Sequence, residues 1–296
     1  MGLKNFGHVP DDLVQRIRVK FLEYVSNQVT IDGQDESLFY QEDIDKITNE
    51  DWYIKRFVIA AYKNETEALE KLIDTMKWRK NIKLRETVDN YFPNDFYDCG
   101  AVFPYENDIH GDLSLWIRCG AVRKFGEYTE AGKRFMVHRL FQIDELAGPK
   151  GYALVIDFTG AGTTALQNLD LLHHFITTLH HRFPAGVNYC LNYQIPWLLK
   201  TVWGAVQFWI PEKRRDIIQF SYRNDLYKYF ELAHVPSYLS GECKRSWKEK
   251  PENCPTTLEF GLYELGLTED DAARTIADYE HFRDSQIVPL DRGEYS

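Results

Sequence analysis

A glycine-rich turn is the first group of residues in this sequence that could carry chemistry. The run G-A-G-T-T-A at residues 160–165 follows the strand-like run A-L-V-I-D-F and precedes a helical pattern, the order found in turns that bind a dinucleotide. The next strand-like run ends near Gln194 without an Asp or Glu for a ribose hydroxyl, which such sites use. A tight glycine turn with no ligand explains the run better, so an NAD(P)-dependent oxidoreductase built on 160–165 is kept only as an alternative.

Four histidines lie on one predicted helix, at His173, His174, His180 and His181. At about 100° per residue, His174 and His181 point away from the apolar face and are expected to face water. His173 and His180 lie two turns apart, too far to share one metal ion, and a metal centre needs three or four converging ligands. We therefore expect no metal site.

The usual signatures of hydrolases and phosphate-binding enzymes are absent from the sequence. It contains no G-x-S-x-G, H-E-x-x-H or G-x-x-x-x-G-K-[ST] motif, and its five cysteines form no C-x-x-C pair, so the thiols are expected to be reduced and structural. The paired carboxylates at Asp11–Asp12 and Asp270–Asp271 lie at predicted helix starts, where they stabilise the helix dipole. We expect no enzyme activity and no cofactor.

An oily segment at residues 195–210 holds three of the seven tryptophans and leads directly into a basic cluster. A helix that is apolar on nearly all sides is usually buried core. Here Trp209 is followed closely by Lys213, Arg214 and Arg215, and a basic residue near anionic headgroups contributes about 1 kcal/mol to membrane binding. An oily, Trp-bearing helix followed by a basic cluster indicates a movable flap that inserts at a bilayer surface. These four residues would contact the membrane or its headgroups.

The composition fits either an aromatic-rich core or a protein that works between oil and water. The 35 Lys and Arg against 45 Asp and Glu leave a net charge of −10, the wrong sign for tracking phosphate backbones, so no nucleic acid is expected as a partner. Aromatic residues make up 15% of the chain and suit apolar surfaces with polar tips. Residues 1–12 contain no signal-like apolar run, and the segment 195–210 is shorter than the roughly 18 residues of a spanning helix, so a cytoplasmic location is expected.

Hydrophobic spacing predicts helices in the N-terminal part of the chain and alternating strands and helices in the part that follows. Helices are predicted over 11–25, from a cap at Asn49 to 61, and from a cap at Asn64, with Glu67 three residues on, to 79. Beyond Pro93, short β-rich runs alternate with helical ones, which predicts a largely parallel sheet with crossover helices. The predicted strands are 113–119, 152–158, 188–194 and 217–221, and the helices 130–147, 166–182, 196–209 and one opened by Thr268 and Asp271.

Five short motifs occur in a fixed order across residues 50–245. They are R-F at 56–57 with W-R at 78–79, D-F-T-G at 157–160, F-P at 183–184, I-P-W at 195–197 and V-P-S-Y-L-S-G at 235–241. Together they resemble the CRAL-TRIO family, the retinaldehyde-binding and tocopherol-transfer type of lipid-carrying protein.

Within that family, P-W-L-L-K-x-x-W followed by W-I-P-E-K is most similar to the lipid-binding domain of motile sperm domain-containing proteins. Those proteins continue into a β-sandwich and a membrane anchor that this sequence does not show, so their tethering role is not expected here. Where phosphatidylinositol-transferring members carry Glu and Lys, this sequence has Ala185 and Asp216, and only Lys213 keeps a basic position. The resemblance therefore does not carry phosphatidylinositol specificity over.

The resemblance implies an α/β fold in three parts: an N-terminal helical unit at 1–90, a CRAL-TRIO domain at 91–245 and a C-terminal appendage at 246–296. A mostly parallel sheet would form the floor of an apolar pocket, with a mobile gate helix above it. Because side chains alternate along a strand, the residues of 152–158 that point away from the Asp157 side would face the ligand. The implied floor residues are Tyr152, Leu154 and Ile156, the wall residues Phe175, Leu179 and Phe183, and the lid residues Leu199, Val202, Trp203 and Val206.

The function implied is to bind a lipid or other lipophilic molecule and carry or exchange it between membranes, without covalent chemistry. The expected partners are that lipid and, transiently, a membrane surface, so the protein would be cytoplasmic and peripherally membrane-associated. A lipid-sensing adaptor that acts through a protein partner is a further alternative.

Overall fold

The N-terminal part of the chain is helical. The computed structural model describes residues 9–29, 37–162, 167–197 and 207–295. The N-terminal helices are α1 (Asp11–Val29), α2 (Gln41–Asn49), α3 (Asp51–Ala60) and α4 (Glu65–Asn81). Their inward faces share one apolar core, in which Ile17, Phe57 and Leu72 are almost fully buried. This core gathers side chains from all four helices, because each helix alone exposes an apolar stripe that it must cover.

A sheet of five strands follows and forms the centre of the fold. Its strands are β1 (Val102–Tyr105), β2 (Ser114–Arg118), β3 (Tyr152–Asp157), β4 (Val187–Tyr193) and β5 (Ile218–Ser221). They lie in the order β1-β2-β3-β4-β5, with β1 antiparallel to β2 and all other neighbours parallel. The mixed α/β fold with a mostly parallel sheet is therefore confirmed, and β1 is a strand that the sequence patterns did not predict.

The two faces of the sheet bury different sets of side chains. On one face, Leu115, Leu154 and Ile156 belong to a core shared with helices α6 (Tyr128–Ala147) and α7 (Leu169–Arg182). On the other face, Trp116 and Val155 pack against the irregular chain after β5. Alternation with period 2 divides each strand between the faces, and burial on both sides is typical of a parallel sheet.

The remaining helices lie after the sheet and include α8 (Thr257–Tyr263), α9 (Glu269–Phe282) and α10 (Val288–Asp291), with a short α5 (Asn94–Asp98) before it. The predicted caps at Asn64 and Thr268 are confirmed, since their side chains accept hydrogen bonds from the backbone N–H of Glu67 and Asp271. Within the described ranges, no helix combines the length and apolar character needed to cross a bilayer.

The predicted helix cap at Asn49 is wrong. Asn49 ends α2, and its side-chain amide donates to the backbone O of Asp45. Helix α3 begins two residues later, at Asp51, and its N-cap Glu50 makes no side-chain cap. Helix α2 itself was missed, because its polar sequence carries only Ile44 and Ile47 as large apolar residues and its Asp43 is buried by pairing with arginines.

A buried ion pair joins the N-terminal helices to the sheet layer. Arg56 on α3 is 1% exposed and Asp144 on α6 is 3% exposed, and the guanidinium donates to both carboxylate oxygens at 2.8 and 2.6 Å. The third donor, Nε of Arg56, reaches the backbone O of Pro184 at 2.8 Å. Gly186 lets this pair lie against the backbone, since a Cβ there would be 2.8 Å from Asp144 Oδ1.

We predict that Arg56→Met lowers the free energy of unfolding by about 3–5 kcal/mol, because it leaves the Asp144 carboxylate buried without its partner. Chemical denaturation followed by circular dichroism measures the change. The control is Arg16→Met, which removes an exposed arginine paired with Asp12 and Glu65 and should barely move the midpoint. Equal midpoints for the two variants would contradict the role of the buried pair.

Candidate functional site

A cavity of about 330 Å³ lies between the sheet and helices α6 and α7. Every strand contributes to its wall, through Val102, Ile117, Leu154, Cys190 and Ile218 among others. Apolar side chains from α7, including Phe175 and Ile176, cover the opposite side. The volume falls in the range of small-molecule binding pockets, and the walls are overwhelmingly apolar.

Five of the six expected pocket residues that the structure describes line this cavity. They are Leu154 and Ile156 on the floor and Phe175, Leu179 and Phe183 on the wall. Tyr152 lies outside the lining. Its ring is fully buried at the other end of β3, beside Gly186 and the Arg56–Asp144 pair. The four expected lid residues, Leu199, Val202, Trp203 and Val206, fall outside the described residues.

Two large aromatic side chains in the expected gate segment, residues 195–210, are exposed, and the Arg215 guanidinium lies 5.9 Å from the ring centre of one of them, Phe208. Trp197 is 77% exposed and Phe208 is 78% exposed. Lys213 lies 4.3 Å from the centre of the Tyr62 ring. Two exposed aromatic side chains therefore flank residues 198–206 in the sequence.

Other side chains hold the far end of the gate segment in place. Nε of Arg215 donates to the backbone O of Gln207 and of Ile210, at 3.1 and 3.2 Å. The ring of Trp209 packs edge-on against His173 on α7, with centroids 4.8 Å apart. Arg215 and Trp209, both expected to contact membrane, therefore also fasten the chain that leads from the gate segment to β5.

His180 and Arg214 are two of the polar side chains that line the cavity. Burial lowers the pKa of His180 to about 4, with smaller contributions from the positive charges of His181, Lys71 and Arg214. Burial also lowers the pKa of the Arg214 guanidinium. His180 is therefore neutral at physiological pH, whereas arginine stays charged there.

The expectation that His174 faces water is wrong, because that side chain is half-buried and its Nε2 is enclosed. His181 is exposed, as expected. Among the described residues, no three His, Cys, Asp or Glu side chains converge as metal ligands would.

The D-F-T-G motif at 157–160 forms a buried turn at the end of β3. Asp157 accepts hydrogen bonds from the backbone N–H of Thr159 at 2.8 Å and from the Tyr238 hydroxyl at 3.0 Å. Gly160 has φ +66°, and a Cβ there would meet Leu290 at 2.9 Å. The C-terminal segment thus packs directly against Gly160, whereas residues 163–165 of the glycine-rich run lie outside the described residues.

Comparison with known proteins identifies the central part of the chain. The family described as "CRAL/TRIO domain" matches residues 97–241. Residues 97–241 are a CRAL-TRIO domain. The match contains all five strands, both helices that enclose the cavity and the D-F-T-G turn. The narrower resemblance to motile sperm domain-containing proteins stays a prediction.

A solved structure titled "Crystal structure of Sfh5" is similar to this chain over a longer stretch. The two share 17% sequence identity with a TM-score of 0.59, and the match covers 86% of this chain and 96% of that one. At 17% identity, the similarity is evidence for the fold only. Because it covers 86% of this chain, the likeness in fold extends beyond residues 97–241.

Several cavity residues escaped the sequence reasoning. Within the CRAL-TRIO domain they include Phe135 and Met136 of α6, which the predicted helix 130–147 contained without an indication of what it covered. Outside the domain they include Ala60 on α3 and Thr275 and Tyr279 on α9. The only available signal was the apolar periodicity of these helices, which shows that a face is covered but not by what.

We predict that the His180 imidazole titrates near pH 4 in the folded CRAL-TRIO domain, because burial opposes its protonation. The unfolded chain binds this proton near pH 6.5, so the contribution of His180 to stability is lost as the pH falls from about 6.5 to about 4. Histidine NMR signals, assigned with His180→Asn, measure the titration. Protonation of the folded protein near pH 6.5 would show that the ring is solvated and does not belong to the cavity wall.

Proposed function

We propose that the cavity of the CRAL-TRIO domain binds a lipid or other lipophilic molecule, which the protein carries or exchanges between membranes. The apolar cavity across the sheet is the observation that carries this proposal. Exposing an alkyl chain to water costs about 0.8 kcal/mol per methylene, so a sixteen-carbon chain requires roughly 13 kcal/mol of shielding. A protein that moves such a molecule through water has to enclose nearly all of it.

Exchange would take place where the expected gate segment meets the membrane. Ile210 and Pro211, directly after Trp209, line the cavity, while Trp197 and Phe208 are exposed on either side of residues 198–206. This arrangement joins an apolar interior to an apolar surface through one short stretch of chain. We assign Leu199, Val202, Trp203 and Val206 to the lid, and Trp209, Lys213 and Arg215 to the contact with membrane headgroups. Membrane association is then peripheral and transient.

The chemistry of the cavity supports binding without catalysis. Burial raises the pKa of the Cys190 thiol to about 12 and raises that of the Cys119 thiol as well, so both are protonated and weakly nucleophilic. Neutral His180 has no thiol or hydroxyl partner in the contacts described for it. The oxidoreductase alternative loses support, since the C-terminal segment packs on Gly160.

We predict that Leu179→Trp lowers the rate of lipid transfer between vesicles by about tenfold, because the larger side chain takes cavity space equal to burying about two methylenes. Thr177→Trp is the matched control on the same helix, since Thr177 is exposed. Release of a fluorescent lipid from donor vesicles gives both rates. Equal rates for the two variants would place the lipid elsewhere.

We predict that the double variant Trp197→Asp, Phe208→Asp weakens binding to anionic vesicles while lipid already bound in the cavity is retained. Both side chains are exposed, so the changes remove membrane contact without altering the core. The control is Tyr263→Asp on α8, where the side chain is 81% exposed and does not line the cavity. Vesicle sedimentation measures binding, and unchanged sedimentation of the double variant would remove the gate segment from the membrane contact.

A further inference from the structure

The cavity runs across the whole width of the sheet. Its wall includes residues of β1 at one edge and β5 at the other. Four spacings of about 4.8 Å between neighbouring strands give a width of about 19 Å. The cavity is therefore elongated, with one end near β5 and the gate segment and the other near β1.

The end near β1 is closed by the C-terminal helices, which lie outside the CRAL-TRIO domain. Thr257 of α8 and Thr275 and Tyr279 of α9 line the cavity there. Tyr279 is 7% exposed, its ring packs edge-on against Phe125 at 5.5 Å, and its hydroxyl donates to the backbone O of Asp95 at 3.3 Å. A large, stiff side chain thus stands at this end of the cavity.

This end wall is fastened to the domain by polar contacts around it. Arg123 pairs with Asp278 at 3.0 Å, one residue before Tyr279. Further along, Gln286 donates to the backbone O of Gly160 at 2.8 Å, and Asp291 pairs with Arg118 at 2.8 Å. The wall is held from both sides of Tyr279, so it behaves as a fixed stop.

We propose that the C-terminal helices set the length of the alkyl chain that the cavity accepts, with Tyr279 as the stop. The inference rests on the proposed function, because it assigns the apolar tail of the ligand to the β1 end and its head to the gate end. Each further methylene buried in the cavity raises affinity about fourfold. The gain ends at the chain length whose terminal methyl reaches Tyr279.

The test measures the affinity of the full chain for a homologous series of saturated fatty acids, from decanoate to eicosanoate, by isothermal titration. Tyr279→Ala should move the affinity maximum to longer chains, because removal of the phenol ring extends the channel. Thr275→Phe should move it to shorter chains, because the new ring fills the same end. Tyr263→Ala, which removes an exposed tyrosine from the neighbouring helix, should leave the maximum in place.

The two opposite shifts separate a length gauge from general loosening of the fold. A folded Tyr279→Ala variant binds the shorter acids with affinity close to that of the wild type, and a destabilised one loses affinity for every acid. If Tyr279→Ala is destabilised, Thr275→Phe still tests the proposal. If Thr275→Phe and folded Tyr279→Ala both bind the acids with an unchanged affinity maximum, the proposal that the C-terminal helices set the chain length is overturned and the proposed function still stands. If the wild-type protein binds no member of the series, both proposals are overturned.

Discussion

The ion pair between Arg56 and Asp144 is the interaction on which the arrangement around the cavity depends. It is costly to bury, and it persists because the geometry is complete: two hydrogen bonds to the carboxylate and a third to the backbone of Pro184. Through these contacts α3 is positioned against α6 and against the loop that follows α7. Ala60, at the end of α3, thereby reaches the cavity wall. The N-terminal helices are thus part of the site and not only an attachment to it.

The cavity survives in a fold whose sheet is otherwise covered on both faces. The face with Trp116 and Val155 is filled by the chain after β5. On the other face, α6 packs against β1, β2 and β3 and against α7, and the cavity lies between the sheet and these two helices. Because the helices are held by polar contacts at their edges, the apolar space does not need to collapse for the fold to be stable.

Sequence patterns predicted the strands whose period and flanking turns were regular, and β2 to β5 lie within one residue or so of the predicted bounds. They missed β1, which is four residues long and contains Pro104. Proline is tolerated only at a sheet edge, and the edge position of β1 could not be read from local sequence. Helix α2 was also missed, because the burial of its Asp43 depends on ion pairs with Arg79 and Arg85, which are distant in the sequence.

Prediction of the candidate site was limited in the same way, because local sequence patterns do not show contacts between distant parts of the chain. Alternation along β3 correctly separated Leu154 and Ile156 from Asp157, but it treated Tyr152 as equivalent to them. Only the position of Gly186 and the Arg56–Asp144 pair shows that the cavity ends before Tyr152. The residues that close the β1 end belong to α8 and α9, and contacts between elements so far apart in sequence leave no periodic signal.

The pairing of Arg118 with Asp291 has a consequence for how the protein is made. The two residues are separated by 173 positions, so at about 5–20 residues per second a ribosome needs roughly 9–35 s to deliver the aspartate after the arginine. Late in that interval, once β5 has been made, the sheet carries a guanidinium that lacks its carboxylate, and the cavity lacks its end wall at the β1 side. Chaperones that shield exposed apolar surface have that time in which to engage the growing chain, before synthesis of α10 lets the two ends of the domain close.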